Sequence, residues 1–329
     1  MSEIPIMAGR RTARFPLCST CRTGVASTAM PTIRNLTLSQ IIRRARQDHR
    51  NLPYDLLPLS GGPGRRRWLA WLATLGRPRM TSPPQQEARR LHEQLLDRGY
   101  TEPLALLTAG QAMAARDWFD DQDCHDPYRP HLGRFRHGAV PSEETNMGYY
   151  SQDQILAAPG LWALFNHPLV LDVAGLFLGC KPTLDNIGAW WSFTARTQAK
   201  GTQWFHRDWD NIRGFKLFVY LSDVGPDDGP FEYVATSQRD ERLVEINRLS
   251  DEKVATVLGD LPSVSVTGAA GTVFLADTFG VHRGRLPLAR SRLLATAQYG
   301  VWRTPHSAPQ PFMPRRDGFD PYINRALMR

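Results

Sequence analysis

The chain has 329 residues, of which 42% are apolar, enough for a substantial core in one domain with extensions or in two domains. Four cysteines (Cys18, Cys21, Cys124, Cys180) are too few and too scattered for a disulfide framework, and no apolar run approaches the roughly 20 residues that span a bilayer. The net charge of +8 is uneven: residues 1–100 hold 17 Lys/Arg against 6 Asp/Glu, which leaves 23 against 26 for the rest.

The basic character therefore belongs to the N-terminal region. A solvated extension explains it better than a nucleic-acid arm, because no aromatic interleaving or groove-reading helix accompanies it. Arg10-Arg11 precedes no continuous apolar run, which argues against a secretory signal and for a reduced, cytoplasmic setting. Cys18-x-x-Cys21 has no second pair to complete a zinc site, and Met30 is a candidate start of translation.

Thr37–Arg50 reads as an amphipathic helix capped by Thr37 or Ser39, and Pro58–Gly64 as a linker. Arg65–Leu75 carries Trp68, Leu69, Trp71, Leu72 and Leu75, a stripe suited to docking a short helix on the main domain or to lying on a membrane surface. Further helices are expected over Gln85–Gly99, Leu104–Phe119 and Leu161–Leu178, the last with His167 as a packing or capping residue. Asp120–His137, rich in Asp and His, reads as a mobile loop covering an active site. Its histidines are six apart, a spacing that suits neither a helix face nor a tight metal loop.

Between Pro182 and Gly300 the pattern changes to period two, and six or more strands are expected. Leu217, Val219 and Leu221 form an apolar face, opposed by Lys216, Phe218, Tyr220 and Ser222. The stretch from Arg292 repeats this, with Arg292, Thr296 and Gln298 opposite Leu293, Ala295 and Ala297. Two such mixed faces predict a barrel whose interior holds a ligand, since a purely structural core would be apolar inside.

If Gly201–Asp208 is a strand, His206 and Asp208 point to the same face. A distant histidine, His282, would complete two imidazoles and one carboxylate, the ligand set of non-haem Fe(II) oxygenases. Asp210 competes with Asp208 but fits the spacing less well. An arginine inside the barrel needs an anionic partner, either an internal carboxylate or a dicarboxylate ligand. Arg292 is favoured over Arg290, which sits at the end of a loop.

Trp204–Asp208, Lys216–Val224, Asp228–Phe231, Gly271–Thr278, His282-Arg-Gly284 and Arg292–Gly300 together resemble the phytanoyl-CoA dioxygenase-like family, over roughly residues 150–300. The resemblance implies an α+β, mainly β fold: a double-stranded β-helix (jelly-roll, cupin-like) core with N-terminal helices packed on one face. It implies His206, Asp208 and His282 as iron ligands and Arg292 as the residue that binds 2-oxoglutarate, with O2 as the other co-substrate. Trp191 and Phe218 are expected beside that co-substrate. Asp208 stands where halogenating relatives carry a small residue, which points to hydroxylation or another oxidation. The chain departs from the family at Ala235-Thr236-Ser237-Gln238 and at Arg285–Ala289, neither of which touches an iron ligand.

The expected organisation is a basic extension over 1–84, an oxygenase domain over 85–305 and a tail over 306–329. The expected activity is oxidation of a C–H bond in a small molecule, with succinate and CO2 as co-products. Two other readings stay open: a jelly-roll binding protein without catalysis or with another metal, and an oxygenase acting on nucleic acid or protein through the basic arm.

Overall fold

The computed structural model describes residues 36–308 and 310–329. The cysteine pair at 18 and 21, the arginine pair at 10 and 11, and Met30 lie outside the described residues. The described residues all fall in one compact unit.

The N-terminal region is helical. α1 (Leu38–Gln47) starts at Thr37, whose hydroxyl accepts the Gln40 amide while the Gln40 side chain accepts the Thr37 amide. α2 (Asn51–Leu56) runs into a 3₁₀ turn at Leu57–Ser60, and α3 (Pro63–Thr74) begins with proline, whose missing N–H costs nothing in a first turn. The stretch expected as a Pro/Gly linker is thus largely folded.

α3 packs on the main body through Pro63, Arg66, Ala70 and Thr74 and leaves Trp68, Trp71, Leu72 and Leu75 exposed. The helix docks as expected, but of the expected stripe only Leu69 packs on the core. Arg66 accounts for the difference: its buried guanidinium donates to the Asn211 carbonyl (2.6 Å) and Ser60 Oγ (3.0 Å) and lies 4.1 Å from the Phe279 ring centre.

α4 (Gln86–Asp97) and α5 (Ala109–Asp120) follow, α5 starting later than expected because Thr108 and Gln111 form a capping box there. The segment expected as a covering loop is instead a short hairpin, β1 (Cys124–His125) and β2 (Arg134–Phe135), joined to the sheet edge through β3 (Met147–Tyr149). After α6 (Gln152–Ala157), the apolar stretch Leu161–Leu178 divides into α7 (Leu161–Phe165) and α8 (Pro168–Leu178). Pro168 forces the break by disfavouring helix at His167, whose Nδ1 then accepts the Leu169 amide as a cap.

From β4 (Thr183–Ser192) onward the chain is mostly strand: β5 (Gly214–Tyr220), β6 (Phe231–Val234), β7 (Ser263–Val266) after helix α9 (Asp251–Leu258), β8 (Val273–Ala276), β9 (His282–Gly284) and β10 (Arg292–Gly300). One antiparallel sheet has the order β2-β1-β3-β4-β10-β5-β8, and a second has β7-β6-β9. The period-two alternation sorts side chains as the pleat demands. Leu217, Val219, Leu293, Ala295 and Ala297 join α4–α8 in one core, while Phe218, Tyr220, Leu294 and Phe274 meet Phe231 and Tyr233 of the second sheet in another. The C-terminal residues pack into the first core through Ile323, Ala326 and Leu327.

Candidate metal and co-substrate site

The segment ahead of His206 is not a regular strand. A 3₁₀ turn at Gly201–Gln203 leads into single bridges, Phe205 to Leu249 and His206 to His282. The second bridge builds the site, because reciprocal backbone hydrogen bonds between His206 and His282 (2.9 and 3.0 Å) set the two imidazoles side by side, 4.3 Å between ring centres. The Asp208 amide donates to the Thr278 carbonyl (2.8 Å), which anchors the carboxylate to the same neighbouring segment.

As a result one nitrogen or oxygen from each of His206, Asp208 and His282 lies within 4.8 Å of the others, the one such cluster of potential metal ligands among the described residues. Nδ1 of His206 faces the Trp204 carbonyl at 2.8 Å and Nδ1 of His282 the Gly280 carbonyl at 2.9 Å. A carbonyl only accepts, so both Nδ1 atoms carry the proton and both Nε2 lone pairs face Asp208, the tautomer a metal needs. Nε2 stands 3.5 Å from an Asp208 oxygen in His206 and 3.7 Å in His282.

Burial by itself would raise the Asp208 carboxyl, but the Lys216 ammonium overrides it and holds it well below the usual carboxylate range. Lys216 Nζ lies 2.7 Å from Asp208 Oδ2 and 3.2 Å from Asp210 Oδ2. Burial pushes His282 down to about 3, with His206 adding to the effect, so it stays neutral and able to ligate. Asp210, the competing ligand, turns away from the cluster toward Lys216 and His306.

Arg292 opens β10 and is 2% exposed. It donates to the Gly229 carbonyl and, at 3.2 Å, to Ser192 Oγ, while its Nε has no partner. No carboxylate pairs with it among the described residues, and burial lowers its pKa. Arg290, the alternative, is an exposed residue paired with Asp228 at 2.7 Å. The guanidinium lies against Gly284, two residues after His282, where a Cβ would stand 2.8 Å from Nη2. The Phe231 ring, 5.4 Å from that of His282, links the two parts of the interior.

Phe218 lies on this inner face, stacked on Phe274 (5.1 Å) and tilted against Phe231 (4.7 Å). Trp191 does not. It stands opposite Leu293 on the outer face, stacks on His137 (4.6 Å) and donates from Nε1 to the Tyr150 hydroxyl (3.1 Å). The placement beside a co-substrate is therefore corrected: Trp190 and Ser192 share the inner face with Arg292, and Trp190 stacks on Tyr149. Period two separates Trp190 from Trp191, but only pairing with β10 says which of them faces inward. The role of Lys216 was also missed, although the sequence places it on the mixed face.

No family model matches the chain, and no curated protein matches it. Solved structures do. The non-haem α-ketoglutarate-dependent carbocyclase SnoK of nogalamycin biosynthesis is 19% identical over 68% of this chain and 87% of its own, at a TM-score of 0.46. HygX from Streptomyces hygroscopicus, with nickel and 2-oxoglutarate bound, is 18% identical over 69% and 90% (0.47). EctD from S. alaskensis, with 2-oxoglutarate and 5-hydroxyectoine, is 19% identical over 77% and 94% (0.46).

Proposed function

We propose that the chain is an Fe(II)- and 2-oxoglutarate-dependent oxygenase with a jelly-roll core, which hydroxylates a C–H bond of a small organic substrate. The observation that carries this reading is the juxtaposition of two histidines and one aspartate with a buried arginine that no carboxylate pairs among the described residues. Two histidines and one carboxylate suit a divalent iron and leave coordination positions open. A buried guanidinium without an internal counter-ion suits the distal carboxylate of a diacid. When bound, iron with 2-oxoglutarate and O2 supplies the power to oxidise a C–H bond, releasing succinate and CO2.

The chain's own contribution is placement. Trp204 and Gly280 fix the imidazoles through their carbonyls, Lys216 keeps Asp208 ionised, and Ser192 and Gly229 aim Arg292. The aromatic layer of Phe218, Phe231 and Phe274 lowers the local dielectric around these charges. The motif blocks that resemble the phytanoyl-CoA dioxygenase-like family fall on these same residues, which supports the assignment.

The test is anaerobic titration of Fe(II) and 2-oxoglutarate into the metal-free protein, followed by the weak visible charge-transfer band of their complex. Wild type should develop the band, His282→Ala should lack it, and Arg292→Ala should need far more 2-oxoglutarate. A folded wild type without the band would sink the proposal and leave a jelly-roll binding protein in its place.

A further inference from the structure

The stripe on α3 has no partner among the described residues. Trp68 and Trp71 are 58% exposed, Leu75 54% and Leu72 37%. At 3.6 residues per turn, Trp71, Trp68 and Leu72 cover one outward arc of the helix. Arg67 borders that arc beside Trp71, and Arg65 borders it beside Leu72. Both arginines are exposed, and among the described residues no hydrogen bond or ion pair engages either guanidinium.

A helix on a water-exposed surface should show the opposite pattern, polar outward and apolar inward. Here buried Arg66 and Thr74 face the body while two tryptophans face out. The charge around the stripe has one sign. Between Asp55 and Glu87 the chain has five arginines (65, 66, 67, 77 and 79) and no acidic residue.

We propose that α3 is an interfacial anchor, which seats Trp68, Trp71 and Leu72 at the headgroup level of an anionic lipid surface while Arg65 and Arg67 meet the lipid phosphates. Tryptophan favours that depth because its ring is apolar and its N–H polar, and flanking arginines add the electrostatic attraction that one short helix needs. Arg67 also lines a cavity of about 280 Å³ that reaches Asp208. Docking by α3 therefore brings Arg67, one of that cavity's lining residues, to the lipid surface. The anchor does not depend on the oxygenase reading, and its test measures binding alone.

The experiment is co-sedimentation of the full-length protein with vesicles of phosphatidylcholine, with or without phosphatidylglycerol. Wild type should bind the anionic vesicles, ignore the neutral ones and release at high salt. Trp68→Ser/Trp71→Ser and Arg65→Gln/Arg67→Gln should each lower the bound fraction at least about tenfold, with melting temperatures like that of wild type. Absence of wild-type binding overturns the anchor, as does a tryptophan variant that binds undiminished, which would assign lipid contact to another part of the chain. A wild-type dimer that becomes monomeric in the tryptophan variant overturns it too, by assigning the stripe to a second copy.

Discussion

Lys216 Nζ lies 2.7 Å from Oδ2 of Asp208, so the carboxylate of the candidate metal site already has a fixed cation beside it. Without Lys216 the half-buried carboxylate would lose the ammonium that lies against it. Removing one partner of a fully buried pair costs on the order of 3–5 kcal/mol, and solvent screening reduces that cost for this half-buried pair. Lys216→Met should lower the melting temperature of the metal-free protein, and added Ni(II) should restore more of it than it adds to wild type. Equal nickel-induced shifts in the two proteins would contradict the role of Lys216 as counter-ion.

Arg292 is buried with an unpartnered Nε and no carboxylate, so in the ligand-free protein its charge is a burden. Arg292→Met should leave the ligand-free melting temperature close to wild type. The same change should weaken 2-oxoglutarate binding roughly 10- to 100-fold, the equivalent of one lost charged hydrogen bond. Anaerobic calorimetry with Fe(II) present measures both arms. Undiminished binding would move the diacid elsewhere.

The parity of β4 makes a paired prediction. Trp191→Phe removes the hydrogen bond to Tyr150 and should cost about 1 kcal/mol of stability with 2-oxoglutarate affinity unchanged. Trp190→Ala, on the inner face with Arg292, should alter that affinity. Denaturant melts and the charge-transfer titration separate the two effects. A reversed pattern would mean that β4 pairs with β10 in another register.

Burial raises the Asp277 carboxyl to about 6. A carboxyl raised in the folded state binds more protons there than in the unfolded chain. Its penalty is absent below the ordinary value of 3.8, accrues as pH rises toward about 6, and is constant above. Asp277→Asn should therefore stabilise the protein by about 2 kcal/mol at neutral pH, allowing for the partial exposure of the group, and the gain should vanish near pH 4. Urea melts across that range check it, and a gain independent of pH would exclude titration of Asp277 as its cause.

Local physics in the sequence determined much of this protein. Period-two alternation at Lys216–Ser222 and from Arg292 onward announced the strands and their inner faces, because a pleated strand leaves the side chains no other choice. His206 and Asp208 stood out by their i, i+2 spacing, Arg292 by its place on a mixed strand face, and His282 through the motif blocks around it. Tertiary structure decided the rest. The pairing of β10 with β4 exchanged Trp190 for Trp191 on the inner face, since register is a relation between strands that no single strand carries. The bridge between His206 and His282 replaced the expected strand over 201–208. Arg66, by taking the inward side of α3, left two tryptophans facing out. A guanidinium with carbonyl, hydroxyl and aromatic partners outcompeted the indoles for that side, and those partners come from segments distant in the chain.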